Sequence, residues 1–161
     1  MPAPMPVIHL TTFIAAPIER VFDLSRNLTI YKVLMQGRKE KFSSGASTNL
    51  ISHGETVTFH AKHFGKIRLV TTRVTDLKKP VSFVQEQVKG DLLHFKHEHH
   101  FKPVDNGTIL IDMIDFEGPR DVIGKVMGKL YLKKYLEKYL SKRNKLIQQY
   151  AESEKWRAVL S

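Results

Sequence analysis

The chain has 161 residues, of which 42% are hydrophobic and 26% charged, and its formal net charge is +10. That length suffices for one domain with a buried core, so we expect a single domain over residues 1–161. Cysteine is absent, which excludes disulfides, thiolate zinc sites and a cysteine nucleophile, and favours a cytoplasmic location. No run reaches the roughly 18 apolar residues of a membrane span.

The first third of the chain predicts one strand and two short helices. Three prolines within residues 1–6 favour a flexible leader, and alternation over 7–15 predicts the first strand. Pro17 suits a first helical turn, and Asn27 is a candidate N-cap for a second helix that ends near Met35. A second strand is expected over 38–43.

Residues 56–117 read as the main sheet. Successive strands are predicted over 56–62, 66–77, 82–89, 92–103 and 108–117. Asp105-Asn106-Gly107 supplies the turn residues of a tight hairpin between the last two. Whether this loop has two or three residues decides which side chain lies opposite Asp112.

Alternation in the last two strands separates an inner from an outer face. The inner face is predicted to carry Phe95, His97, His99 and Phe101 on one strand, and Leu110, Asp112, Ile114 and Phe116 on the next. Phe59 is expected on the same face, whereas Phe83 is ambiguous because Val84 and Val88 favour the opposite orientation.

One long helix is predicted from about residue 121. Ile123, Val126, Met127 and Leu130 share one side of it, while Leu132, Leu136, Leu140 and Ile147 cluster almost opposite. One straight helix cannot bury both stripes, so a break is expected around 124–132, with residues 121–131 forming a mobile lid. Residues from about 153 to 161 are expected to be flexible.

Several short stretches resemble one known superfamily. They are Ala16-Pro17-Ile18-Glu19-Arg20-Val21-Phe22, Phe64-Gly65, Pro80 to Phe83, Gln87 with Gly90, Phe95-x-His97-x-His99-x-Phe101, Gly107-Thr108, Asp112 and Arg143-Asn144. With the order of elements, they resemble the START-related helix-grip superfamily, which includes the birch-pollen allergen, polyketide cyclases and coenzyme Q-binding proteins. The resemblance implies an α+β helix-grip fold: a curved antiparallel sheet of about seven strands around a long C-terminal helix, with two short helices after strand 1.

A single helix cannot fill the concave face of a wide sheet, so we expect an apolar cavity between them. The predicted function is binding or carriage of a small hydrophobic molecule, such as a lipid, a quinone or a polyketide-like compound. The predicted ligand-binding residues are Phe59, Phe95, His97, His99, Phe101, Asp112, Ile114, Phe116, Met127 and Leu130. An aromatase/cyclase-like enzyme is the alternative, and no residue is assigned as catalytic.

The inward polar residues His97, His99 and Asp112 allow several interpretations. They could form a buried hydrogen-bonded network, orient a ligand's carbonyl or hydroxyl, or act in acid–base catalysis. Two histidines and one carboxylate could also hold a metal ion. No recognised ligand-spacing motif supports a metal, and we predict neither metal nor cofactor.

The positive charge allows contact with anionic partners. Lysines line two sides of the last helix and could dock the protein peripherally on an anionic membrane. A basic module for nucleic acid is a further alternative. We do not expect nucleic acid as the partner, because the chain has no recognised nucleic-acid motif.

Overall fold

The computed structural model describes residues 8–36, 41–63, 66–119 and 125–160, without the side chains of 41, 61–63, 66, 119 and 125–128. Its elements are β1 (Ile8–Ile14), α1 (Ile18–Ser25), α2 (Leu28–Met35), β2 (Lys41–Ser44), β3 (Thr56–His63), β4 (Lys66–Lys78), β5 (Ser82–Gly90), β6 (Leu92–Val104), β7 (Gly107–Pro119), α3 (Lys125–Ala151) and α4 (Trp156–Leu160). The predicted leader, residues 1–6, lies outside the described residues.

The seven strands form one open antiparallel sheet in the order β1-β7-β6-β5-β4-β3-β2. β1 and β2 therefore lie at opposite edges, and α1 and α2 occupy the connection between them. Helix α3 packs against β1 and β7 and against both short helices. The predicted α+β architecture of a seven-stranded sheet, two early helices and a long C-terminal helix is confirmed.

Both early helices begin where the sequence predicts. Pro17 is the N-cap of α1. Asn27 is the N-cap of α2, and its Oδ1 accepts hydrogen bonds from the backbone N–H groups of Thr29 and Ile30 at 2.9 and 3.3 Å. These bonds satisfy amide groups that have no partner within the helix.

The β6–β7 hairpin sets the register of the inner face. Its loop has two residues, and Asn106 adopts a φ of 67°. A side chain at Gly107 would lie 2.4 Å from the carbonyl oxygen of Ile14, so the close approach to β1 requires glycine. His99 consequently lies directly opposite Asp112.

The buried side chains confirm the predicted inner face. His97, His99, Phe101, Leu110, Asp112, Ile114 and Phe116 are all buried. Phe83 is also buried, and Val88 is exposed, which settles the ambiguous orientation of β5. Strand alternation in β6 and β7 thus predicted the inner face correctly, whereas the valines of β5 favoured the wrong face for Phe83.

Helix α3 is continuous over the described part of the expected break, residues 125–132. The prediction assumed that both apolar stripes are buried. Leu132, Leu140 and Ile147 are buried, but Leu130 of the other stripe is 57% exposed. The helix has no need to break, because that side of it remains in contact with solvent at Leu130.

The C-terminal end forms helix α4 instead of the expected flexible segment. Trp156, Val159 and Leu160 pack against the core. The guanidinium of Arg20 lies 4.1 Å from the centre of the Trp156 ring, and Asn27 Nδ2 donates to the carbonyl oxygen of Val159 at 2.9 Å. Among the described helices, none has the length and apolar character needed to cross a bilayer.

The hydrophobic core consists of two clusters. The first joins α1, α2, the C-terminal end of α3 and several strands, and includes Phe22, Tyr31 and Ile147. The second joins β1, β6, β7 and the middle of α3, and includes Phe116 and Leu140.

Candidate functional site

A cavity lies between the inner face of the sheet and helix α3. Counted out to its open mouth, it holds about 940 Å³ of space. Its lining residues are Tyr31, Met35, Phe59, His60, Arg68, Val70, Thr72, Gln85, Leu92, Phe95, His97, Leu132, Tyr135, Leu136, Tyr139 and Arg143. Both hydrophobic clusters contribute to the wall: Tyr31 and Phe59 from the first, Leu92 and Leu132 from the second.

At one end of the cavity, the carboxylate of Asp112 is the centre of a buried polar network. Its Oδ1 accepts a hydrogen bond from His97 Nε2 at 2.7 Å and one from Arg143 Nη1 at 3.3 Å. Its Oδ2 accepts from Asn144 Nδ2 at 2.8 Å. Both oxygens are therefore occupied by donors from β6 and α3.

Asp112 is ionised within this network. Burial opposes the charged form, but the positive charge of Arg143 and the hydrogen bond from His97 outweigh it, and the pKa of Asp112 lies well below its usual value. The same carboxylate helps to keep Arg143 charged, because its attraction overcomes the effect of burial and raises the pKa of the guanidinium.

His99 is held as one neutral tautomer by the groups around it. Arg143 Nη2 donates to His99 Nδ1 at 3.1 Å, and a guanidinium can only donate, so Nδ1 carries the lone pair. Nε2 then carries the proton and donates to Gln85 Oε1 at 2.9 Å. Burial and the nearby His97 lower the pKa of His99 well below its usual value, which agrees with a neutral ring.

His97 stacks on His99 and reaches the cavity wall. The two ring centres are 3.6 Å apart. Burial lowers the pKa of His97, although the hydrogen bond and the charge of Asp112 act in the opposite direction. Since Asp112 is ionised, Nε2 of a neutral His97 carries the proton of the 2.7 Å bond.

Three tyrosines, Tyr31, Tyr135 and Tyr139, line the cavity wall. Burial raises the pKa of Tyr31, and raises that of Tyr139 still further above its usual value. Both phenols therefore stay protonated. The Tyr31 hydroxyl donates to the carbonyl oxygen of Ser25 at 3.5 Å. Tyr139 lies one turn of α3 before Arg143, and both side chains line the cavity.

The network also has the spacing of a metal site. The ligand atoms of His97, His99 and Asp112 lie within 4.8 Å of one another. Each ligand atom that faces the cluster already has a partner in the protein. The Arg143 guanidinium lies 3.3 Å from Asp112 Oδ1, which is also the oxygen that His97 contacts. A fixed positive charge at that position disfavours a divalent cation, so the geometry fits a hydrogen-bonded network.

No protein-family model and no curated protein matches the sequence. Solved structures do match it over most of its length. TTHA0849 from Thermus thermophilus has a TM-score of 0.68 at 18% identity, covering 89% of this chain and 98% of that chain. The Zhui aromatase/cyclase from Streptomyces sp. R1128 has a TM-score of 0.67 at 16% identity, covering 90% and 92%. A START superfamily protein from Mycobacterium smegmatis has a TM-score of 0.64 at 16% identity, covering 90% and 96%.

The chain has the helix-grip fold. At these identities the likeness concerns the fold alone, and at that level the resemblance to the START-related superfamily is confirmed.

The helix-grip arrangement places the predicted site residues at three depths. Phe59, Phe95 and His97 line the cavity. His99, Phe101, Asp112, Ile114 and Phe116 lie on the same face but are buried and do not appear in the cavity wall. Leu130 is exposed and does not line the cavity either. The side chain of Met127 lies outside the described part of the chain.

Sequence reasoning assigned no functional role to Arg143, Gln85 or Tyr139. The signal for Arg143 and Tyr139 was present, because each follows a leucine of the apolar stripe by three residues: Tyr139 follows Leu136, and Arg143 follows Leu140. A charged residue within such a stripe points to a buried partner. Gln85 lies two residues after Phe83 on the inward face of β5, and only the orientation of that strand reveals it.

Proposed function

We propose that this helix-grip protein binds and carries a small hydrophobic molecule in the cavity between its sheet and helix α3. The observation that carries the proposal is the cavity itself, which is lined mainly by apolar and aromatic side chains, with a smaller number of polar side chains among them. Ligand pockets in proteins commonly have this composition.

The chemistry of the wall favours a largely uncharged guest. Phe59, Phe95, Val70 and Leu136 offer apolar contact, and each buried methylene of a guest gains about 0.8 kcal/mol. The charge of Arg143 is balanced by Asp112 at 3.3 Å. Lipids, quinones and polyketide-like compounds have the required apolar skeleton with few polar atoms.

A pair of variants on one helix tests the proposal. Leu136 lines the cavity, whereas Leu130 is exposed on the same helix. Leu136→Trp should fill part of the cavity and weaken binding of a fluorescent apolar dye at least tenfold, while Leu130→Trp should leave it unchanged. Mass spectrometry of gently purified protein should detect an apolar compound that is lost in Leu136→Trp. Equal dye binding by both variants would place the guest elsewhere.

An aromatase/cyclase-like activity is the second candidate. Two observations favour it: the Zhui aromatase/cyclase has the same fold, and the cavity contains a histidine, three tyrosines and an arginine that could stabilise an enolate. Incubation with a poly-β-ketone substrate distinguishes the two functions. A carrier returns the compound unchanged, whereas an enzyme forms a cyclised aromatic product that is lost in Tyr139→Phe.

The surface of α3 suggests where a carrier would meet its source. Lys134, Lys138, Lys142 and Lys145 are exposed there, and each lysine close to an anionic bilayer contributes about 1 kcal/mol of attraction. A cytoplasmic protein that docks transiently on an anionic membrane surface is consistent with this charge, and with the absence of cysteine.

A further inference from the structure

The buried network presents an unused hydrogen-bond acceptor to the cavity. Asp112 has donors on both oxygens. His99 uses Nδ1 as an acceptor from Arg143 and Nε2 as a donor to Gln85. Neither residue therefore has hydrogen-bonding capacity left for a guest, although both are inward-facing polar residues on the central strands.

His97 differs from its two neighbours in the network. In its neutral ring Nε2–H donates to Asp112 at 2.7 Å, and the second ring nitrogen, Nδ1, carries a lone pair. Among the described residues, Nδ1 has no hydrogen-bond partner and is not one of the fully enclosed polar atoms. Since the side chain of His97 lines the cavity, Nδ1 is an acceptor that a guest can reach.

The network also prevents His97 from changing its role. Rotation of the ring, or a shift of its proton from Nε2 to Nδ1, would break the 2.7 Å bond to a carboxylate that has no access to water. Stacking on His99, which is itself stacked on Phe83 at 3.9 Å, holds the plane of the ring. The acceptor is therefore fixed in place before any guest enters, which lowers the entropic cost of using it.

We propose that His97 Nδ1 is the specificity-determining acceptor of the cavity, and that it selects a flat apolar guest bearing one hydroxyl group, such as a phenol or an enol. The inference rests on the proposed carrier function and names the class of guest. The hydroxyl would donate to Nδ1 while the ring contacts Phe95, Val70 and Leu136. A guest without a donor would leave the imidazole nitrogen desolvated and unpaired.

A matched set of small aromatic probes tests the proposal on the unmodified protein. 2-Naphthol and 2-methylnaphthalene have nearly the same shape, but only the first has a hydroxyl. Calorimetric or fluorescence titration should give about five- to tenfold tighter binding of 2-naphthol, the usual worth of one neutral hydrogen bond. Equal affinities would overturn the selection by His97 and leave the carrier function standing, whereas no binding of either probe would overturn both.

Nitrogen NMR of the histidine side chains reads the proposed atom directly. On addition of 2-naphthol, the unprotonated Nδ1 resonance of His97 should move in the direction of a hydrogen-bonded nitrogen, while the resonances of His99 should change little. 2-Methylnaphthalene should leave the His97 resonance in place. A shift confined to other residues would assign the hydroxyl to another group and overturn the proposal.

Two variants complete the test. His97→Phe keeps the stacking on His99 but removes the acceptor, so it should abolish the preference for 2-naphthol while affinity for 2-methylnaphthalene changes less than twofold. Tyr139→Phe removes the nearby hydroxyl and should retain the preference. If His97→Phe does not fold, the probe pair and the NMR measurement on the unmodified protein still decide. Tighter binding of 2-naphthoate than of 2-naphthol would point to recognition by Arg68 and contradict the proposal.

Discussion

Arg143 is the side chain on which the buried polar network depends. It donates to the Asp112 carboxylate, to His99 Nδ1, to Asn144 Oδ1 and to the carbonyl oxygen of Ser25 at the end of α1. One guanidinium thereby connects α3 with α1 and with strands β6 and β7. Because it is buried with its counter-ion, its removal leaves an uncompensated charge in the interior.

We expect Arg143→Met to lower the free energy of unfolding by about 3–5 kcal/mol. The loss should be smaller in the double variant Arg143→Met/Asp112→Leu, because the carboxylate that lacked a partner is then also removed. Urea denaturation of the two single variants and the double variant measures the coupling. Strictly additive losses would mean that the pair does not interact in the folded protein.

The two buried histidines make stability depend on pH. The pKa values of His97 and His99 are lowered in the folded protein, so below pH about 6.5 the unfolded chain binds protons that the folded chain does not. The free energy of unfolding should fall on acidification, by up to about 1.4 kcal/mol per pH unit for each histidine. A further loss should follow below pH about 4. At that pH an unfolded aspartate binds a proton, whereas Asp112 in the folded protein stays ionised because its pKa is lowered.

His99→Gln should make the free energy of unfolding depend less steeply on pH between about pH 6.5 and 5. The matched control is His53→Gln, at an exposed position, which should retain the steep dependence. Thermal or chemical denaturation over the pH range measures both. An equally steep profile in His99→Gln would show that protons bind elsewhere on unfolding.

At this scale the sequence identified the members of the network but not its bonds. Strand alternation placed His97, His99 and Asp112 on one face. Their partner Arg143 is 31 residues away from Asp112 along the chain, and its position depends on how α3 crosses the sheet. The periodicity of residues within one element does not predict how that element is oriented against another.

Among the secondary-structure elements, α2 and α4 are joined by Asn27. Its side-chain oxygen Oδ1 caps α2, and its side-chain nitrogen Nδ2 donates to the carbonyl oxygen of Val159 in α4. The two functions use different atoms of one side chain and can be separated by substitution.

Asn27→Ser should retain the cap, because a serine hydroxyl also accepts from the first amides of a helix. It should lose the bond to α4, so hydrogen exchange in residues 156–160 should become faster while that of α2 is preserved. Asn27→Ala should lose both, with an additional cost of about 1 kcal/mol for the missing cap. Unchanged exchange in α4 with serine at this position would show that Trp156 and Arg20 alone hold the helix.

Local sequence signals were sufficient for most elements. Pro17, Asn27 and the turn residues Asp105-Asn106-Gly107 act within a few residues, and a helix start, an N-cap and a tight hairpin occur where they were predicted. The length of the hairpin loop was left open. Helix α4 was missed because its stability comes from distant contacts, such as Arg20 with Trp156. The expected break in α3 assumed burial of Leu130, which is exposed.

For the whole molecule, the distribution of charge decides how a carrier would meet a membrane. We expect binding to vesicles containing anionic lipid, with affinity falling as salt concentration rises. Lys138→Glu/Lys142→Glu should weaken this binding strongly, because both lysines are exposed on one side of α3.

Lys89→Glu/Lys102→Glu is the matched control, since it changes the net charge equally at exposed positions of the sheet. Vesicle sedimentation compares the two. Equal losses in both variants would indicate that net charge alone drives the contact.

The existence of a cavity was predictable from the number of strands and the single long helix, but its wall was not. Which side chains border empty space depends on how Tyr139, Arg143 and Gln85 pack. These residues lie on elements that are far apart in the chain, so their combined volume cannot be judged from either element alone. Leu92 and Leu132 illustrate this: each reads as ordinary core, and each borders the cavity.

The division of the core into two clusters has a consequence for melting behaviour. The cavity lies where the clusters meet, so an empty protein has fewer van der Waals contacts joining them than one core would have. A bound guest would touch both sides at once. Calorimetric transitions should consequently become narrower as well as hotter on loading, because two weakly connected units would then lose their order as one.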